Sequence, residues 1–250
     1  KLEELELSNV GKLILKGEHS SLQEVSIDAV DSISLEVLPS LRSFRLRLWR
    51  EDPSNQKMLH RILRSLEQSE KLQNLVFHSQ ASSWPESETT WKSLRTLDIS
   101  RWKALKSIQS KLQMPKLKQL VCTLEQINLD NIPSNINHLR IVHSTGNIKG
   151  ALKGLEKYKA LIDLELCDFY EGISVSFWRG ILKCTSLKCI RIEQSQVPEL
   201  PKDIGMLENL EVMILYRTNT QVSADIFNDL PSLKRIEIED LRGKNILFPQ

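Results

Sequence analysis

The residues with the most intrinsic chemistry in this 250-residue chain are five histidines and four cysteines. Cys122, Cys167, Cys184 and Cys189 form no CxxC pair, and no histidine stands at metal-ligand spacing from any of them. Cys184 closes an apolar stretch and Cys189 opens the next, so a contact between the two is the one redox arrangement the spacing allows. His138 and His143 flank another apolar stretch. No G-x-S-x-G accompanies them, and no pair of carboxylates stands apart from the general surface charge. The chain reads as a non-enzyme.

Recognition is the chemistry that the remaining residues suit. Three groups stand out. Arg42, Arg45, Arg47, Trp49 and Arg50 form a basic cluster with an aromatic, and Arg and Trp are frequent interface anchors. Val212, Ile214 and Tyr216 are apolar at alternating positions where charge would be ordinary. Arg140, Glu165 and Arg191 alternate in sign from one apolar unit to the next, with Glu237 further on.

What positions them is a cadence, apolar-x-x-apolar-x-apolar. It begins with Leu2, Leu5, Leu7; Leu22, Val25, Ile27; Leu41, Phe44, Leu46; Leu72, Leu75, Phe77; and Leu94, Leu97, Ile99. Further units are Leu117, Leu120, Cys122; Ile136, Leu139, Ile141; Leu161, Leu164, Leu166; and Leu187, Ile190, Ile192. It closes with Leu210, Met213, Leu215 and Leu233, Ile236, Ile238. Most intervals fall in the leucine-rich-repeat range of roughly 20–29 residues. The last two residues of each unit alternate with polar ones, as on a short strand with one face inward. One unit cannot bury that face alone, whereas stacked units bury a continuous ladder. The expected fold is an α/β solenoid, a leucine-rich-repeat horseshoe. Its parallel β-sheet is concave, and its convex side is irregular with short helices. Residues 1–250 read as a single solenoid of about 11 irregular repeats, a fragment of a longer protein, since neither end shows a full polar cap; GKNILFPQ would be a partial one.

Some segments depart from the cadence. Val10-x-x-Leu13-x-Leu15 and Val30-x-x-Ile33-x-Leu35 read as second short strands or tight convex-side segments. Met58, Leu59, Ile62, Leu63 and Leu66 have helical spacing after the Asp52-Pro53-Ser54 start signal. Phe177, Trp178, Ile181 and Leu182 predict a helix over 174–184, and a third covers about 223–229. Residues 80–91 read as an exposed loop.

Composition excludes other classes. Charged residues make up 26% with a net charge of +2, a balance that suits neither nucleic acid nor an anionic membrane as main partner. No apolar run approaches the ~20 residues of a membrane span. Few cysteines and no Asn-x-Ser/Thr site favour a reducing, cytoplasmic setting.

LPKDIGMLENLEVMIL, residues 200–215, closely resembles the LP-x-x-I-G-x-L-x-x-L-x-x-L-x-L phrase of plant intracellular nucleotide-binding leucine-rich-repeat (NLR) immune receptors. LKCTSLKCIRIEQSQVPELP (182–201), LPSLKRIEIEDL (230–241) and MPKLKQLVCTLEQI (114–127) have the same character. The asparagine common three residues after the last strand anchor is absent; Phe169, Ser195 and Thr218 are among its replacements. The resemblance implies a sensor domain of a disease-resistance receptor. Its partner would be a pathogen effector or guarded host protein, and it would contact other receptor domains intramolecularly to restrain them. ADP or ATP would belong to an N-terminal nucleotide-binding domain outside this chain, which itself carries no cofactor. The alternative is a substrate adaptor such as that of an F-box ubiquitin-ligase component.

No G-x-x-x-x-G-K-[ST] loop occurs in residues 1–250. Titration calorimetry of this chain with ATP is therefore expected to show no submicromolar binding; a measured affinity in that range would mean that a phosphate cradle was overlooked.

Overall fold

A computed structural model describes residues 1–17, 19–48, 54–79, 90–101, 113–123, 129–142, 154–170, 172–173, 175–197, 199–220 and 224–240. The chain divides into two compact units, Lys1–Pro133 and Ser134–Gln250. In the first, β1 (Glu4–Leu15), β2 (Glu24–Leu35), β3 (Ser43–Arg47), β4 (Asn74–His78), β5 (Thr96–Asp98) and β6 (Gln119–Thr123) pair in chain order, all parallel. In the second, β7 (His138–Val142), β8 (Asp163–Cys167), β9 (Cys189–Glu193), β10 (Val212–Thr218) and β11 (Arg235–Asp240) do the same.

Each of the eleven apolar triplets meets one strand. Its last two members lie in register with their equivalents: Leu139, Leu164, Ile190, Met213 and Ile236 form one row, and Ile141, Leu166, Ile192, Leu215 and Ile238 another. Most of these residues are fully buried, Leu164, Leu166, Ile190, Ile192, Met213 and Leu215 among them. The first member closes a turn. The amide N–H of Leu210 donates to Leu207 O (2.9 Å), that of Leu187 to Cys184 O (3.0 Å) and that of Leu117 to Met114 O (3.1 Å). The residue that accepts this bond is in most repeats itself apolar and buried, as Leu38, Met114, Tyr158 and Leu207 are, with His19 and Ser69 as exceptions. Hence the spacing of Leu207, Leu210, Met213 and Leu215: one turn, one entry, one strand.

Between turn and strand a carbonyl accepts twice. Lys188 O takes the N–H groups of Glu211 and Val212, and Glu211 O takes those of Lys234 and Arg235. The same fork recurs at Glu3, Gln23, Arg42, Gln73, Arg95, Asn137 and Ile162. It satisfies buried-side backbone donors and fixes the phase of one repeat on the next.

Two residues past the last anchor, the backbone turns left-handed at Asn9, Ala29, Asp168, Gln194 and Arg217, with φ between 47° and 64°. This conformation costs a non-glycine residue about 1–2 kcal/mol, and its return is burial of the next side chain. Val30, Phe169, Ser195 and Thr218 all point inward. Ser195 does the work of the missing asparagine: its hydroxyl accepts from Phe169 N–H (3.0 Å) and donates to Glu193 O (2.7 Å).

The structure revises several expectations. The extra half-cadences are not separate strands: β1 and β2 run on through Asn9 and Ala29 as 12-residue strands, and Val10, Leu13 and Leu15 pair with Val30, Ile33 and Leu35. The predicted first helix is α1 (Ser54–Glu67), with Leu59, Ile62, Leu63 and Leu66 buried against β2. The second is α2 (Val175–Leu182), on which Phe177 packs edge-on against Phe169. The third is a 3-10 helix, Ala224–Asp229. Another 3-10 helix, Lys202–Met206, holds the I-G of the LPKDIG phrase. Ile204 is fully buried there, and a Cβ on Gly205 would meet Asp229 at 2.9 Å. Trp91, at the end of the segment that reads as an exposed loop, is buried, its amide N–H held by Gln113 O at 2.8 Å. Residues 80–89 of that loop and the GKNILFPQ segment lie outside the described residues.

Each fully buried leucine contributes roughly 1.5–3 kcal/mol. A carboxylate at the same place also loses its hydration, a penalty of several kcal/mol without a partner. Leu164→Asp and Leu120→Asp are therefore each expected to melt the repeats around them, seen as lost helical and strand ellipticity and a lowered midpoint in urea. An unchanged urea transition would show that these side chains are not core.

Candidate functional site

Strand alternation puts the residue between the two anchors on the sheet face away from the core. In the first unit this middle row reads Glu6, Ser26, Arg45, Val76, Asp98 and Val121, neighbours in register. In the second it reads Arg140, Glu165, Arg191, Ile214 and Glu237. The face is open rather than covered: Arg45, Arg140 and Glu237 are exposed, and Ile214 and Tyr216 half-buried. Val121 is an exception at 8% exposure, buried despite its outward position.

The basic cluster of the first unit is only partly a free charge. Arg47 lies 3.8 Å from Asp28 on β2, while Arg45 projects into solvent. Trp49 and Arg50 lie outside the described residues. On the next strand, His78 Nε2 stands 3.9 Å from Asp98 Oδ2. Burial alone would raise the Asp98 carboxyl. The neighbouring His78 imidazole and hydrogen bonds from Ser100 together outweigh it and hold the group below the ordinary aspartate value.

In the second unit the alternating charges do meet, but not as a straight ladder. Arg140 Nη1 reaches Glu165 Oε1 at 3.3 Å. Arg191, next to Glu165 in register, turns instead to Asp163, where its Nη1 donates to both carboxylate oxygens at 2.8 and 2.7 Å. His138 Nδ1 approaches the same carboxylate at 3.4 Å. Glu237 accepts from Arg235 Nε of its own strand at 2.8 Å. The signal for Asp163 was present in the sequence, at the position before the first strand anchor, but nothing there says which carboxylate an arginine on the next strand will choose.

Val212, Ile214 and Tyr216 stand in line on the open face of β10. Charged strands flank them: Ile214 lies between Arg191 and Glu237, and Tyr216 between Glu193 and Glu239. The Arg217 guanidinium rests 5.2 Å from the centre of the Tyr216 ring.

Among the described residues one group could offer three ligand atoms to a metal: Glu165, Cys167 and Glu193, all within 4.8 Å of one another. The Cys167 thiol, 3.6 Å from Glu165 Oε1, is pushed up to about 12 by burial, with Glu165 and Glu193 adding to the rise. Arg140 hydrogen-bonds the same thiol and pairs with Glu165. A guanidinium therefore already occupies the place of a cation. All four cysteines are thiols. Cys184 does not pair with Cys189; its Sγ lies 3.6 Å from Gly180 O, within α2. His143 lies outside the described residues.

No family model matches the sequence, and no curated protein matches it. Similarity appears at the level of structure. TLR13, from its complex with ssRNA13, superposes with a TM-score of 0.65 at 17% identity over 96% of this chain. An internalin (inlF) from Listeria monocytogenes superposes with a TM-score of 0.53 at 13% identity, again over 96%. Both are leucine-rich-repeat proteins, and this chain has the leucine-rich-repeat fold. It spans 38% of the TLR13 chain and 67% of the internalin chain. Among the described residues no helix is long and apolar enough to cross a membrane.

The cysteine environment predicts reactivity. Burial is the largest cause lifting the half-buried Cys189 thiol to about 11, and the Asp163 charge adds to it. The thiolate is the nucleophile, so alkylation by iodoacetamide at pH 8 is expected to be at least about tenfold slower than for free cysteine. Asp163→Asn removes the negative charge, lowers this pKa and should speed the reaction. Equal rates for Cys189 and free cysteine would contradict the buried, anionic setting.

Proposed function

We propose that this chain is a protein-interaction and sensor domain, the repeat region of a plant intracellular NLR immune receptor, without catalysis or a cofactor of its own. The observation that carries the binding role is the Val212, Ile214, Tyr216 stripe, three apolar side chains in line on β10, with Arg191 and Glu193 in register on one side and Glu237 and Glu239 on the other. Apolar residues exposed together on such a surface mark partner sites. A stack of repeats lets these outward side chains vary without disturbing the core rows behind them.

The receptor assignment rests on the LPKDIGMLENL phrase. Its partner would be a pathogen effector or a guarded host protein, met in the cytoplasm. Arg191 and Glu237 lie on the strands beside the stripe, with Glu165 and Arg140 on the next two strands beyond Arg191, and these charges would orient the partner. Arg45, Arg47 and Trp49 form a separate candidate contact. In the idle receptor the same stripe would lie against another domain.

The two roles differ in outcome. In the whole receptor, Ile214→Asp with Tyr216→Ala is expected to abolish the response to the partner, read as cell death on co-expression in leaf tissue. Cell death without the partner would assign the stripe to restraint instead. A double variant that both rests and responds like the wild type would remove the stripe from either role.

A further inference from the structure

We propose that the open face of β9–β11 takes an extended protein segment bearing a lysine or arginine beside apolar residues, the cation seated between Glu193 and Glu239 at the Tyr216 ring. The proposal rests on the reading of the β10 stripe as a partner site and adds the chemistry of the partner.

Charge bookkeeping across the face isolates these two carboxylates. Asp163 is held by Arg191, Glu165 by Arg140 and Glu237 by Arg235. Glu193 makes no direct ion pair with any described residue: Cys167 Sγ lies 4.0 Å away, and Arg140, paired with Glu165, acts on it only by its charge. Glu239 makes no ion pair with any described residue either. Both stand in register with Tyr216, one on each side. Neighbouring strands are ~4.8 Å apart, so the two backbones are separated by about 10 Å. Two glutamate side chains can converge on one ammonium or guanidinium across that gap.

Among the described residues the field at this end of the face is only partly compensated, by the charges of Arg140 and Arg217. Burial raises the Glu165 carboxyl, and Glu193 raises it further against the pull of Arg140. The Arg217 guanidinium lies over the Tyr216 ring, so the ring already stacks with a cation, and an incoming one would share or displace that contact. Below the ring, Val212 and Ile214 offer apolar contact at the two-residue spacing of a strand. An extended segment lying along β10 places alternate side chains at the same spacing. Its apolar residues would meet Val212 and Ile214, and its cation the acidic pair. A polyanion such as single-stranded RNA meets the wrong sign of charge here.

A random 12-residue peptide library on phage, panned against the 250-residue chain, tests this. Selected peptides are expected to carry Lys or Arg next to apolar residues. Glu193→Gln with Glu239→Gln, at an unchanged melting temperature, should weaken them at least about tenfold, as should raising salt to about 0.5 M. Neutral or acidic peptides that lose binding in Ile214→Asp would overturn the cation seat while leaving the stripe as a partner site. Peptides indifferent to Ile214→Asp, or no selected peptides, would overturn both. Stronger binding of a short single-stranded RNA, competed by the selected peptides, would overturn the proposed partner class.

Discussion

A strand anchor in this protein is buried by its equivalents in the repeats before and after it. Leu164 lies between Leu139 and Ile190, and Leu166 between Ile141 and Ile192. No repeat can hide its own leucines, so every repeat depends on its neighbours, and the energy of the fold is spread along the rows. A slip of one residue would turn a strand inside out. The forked turn carbonyls, from Glu3 to Glu211, resist that slip by tying the entry of each strand to the turn before it. The open face is a by-product of the same register: once the anchors align, the residues between them align too.

Strain is accepted where it serves the stacking. The left-handed residues at 9, 29, 168, 194 and 217 include Ala29 and Arg217, which have no side-chain preference for that conformation. At the last four of these positions the turn sends one more side chain, Val30, Phe169, Ser195 or Thr218, into the core. At Phe169 and Ser195 the return is double, because the Ser195 hydroxyl also satisfies the Phe169 amide. Asn219 Oδ1 gives the same service to the amide of Val197 at 2.9 Å. Three residues after the anchor, then, the need is for something that fills space or satisfies a backbone donor, and an asparagine is only one way to meet it.

On the open face the charges mostly answer one another across adjacent strands, which keeps the surface solvated and nearly neutral. β10 interrupts this with Val212, Ile214 and Tyr216, and Glu193 and Glu239 beside Tyr216 form no direct ion pair among the described residues. The interruption costs little stability, because the anchors Met213 and Leu215 beneath it are fully buried whatever stands above them. Core and surface are thus separable on every strand.

By itself the sequence determined the strands, their number and their inward residues, because leucine at three-and-two spacing has one way to be buried when it recurs eleven times. It also determined the rows of the open face, which follow from alternation. It did not determine that β1 and β2 continue past Asn9 and Ala29, since a left-handed residue there leaves no mark that Ala29 would reveal. It did not place Trp91 in the core, because nothing in the neighbouring residues reveals that its amide N–H meets Gln113 O, more than twenty residues away. Nor did it choose Asp163 over Glu165 for Arg191. That choice belongs to the tertiary structure alone. Adjacent strands bring both carboxylates within reach of one guanidinium, and side-chain length and the competing claim of Arg140 decide which is taken.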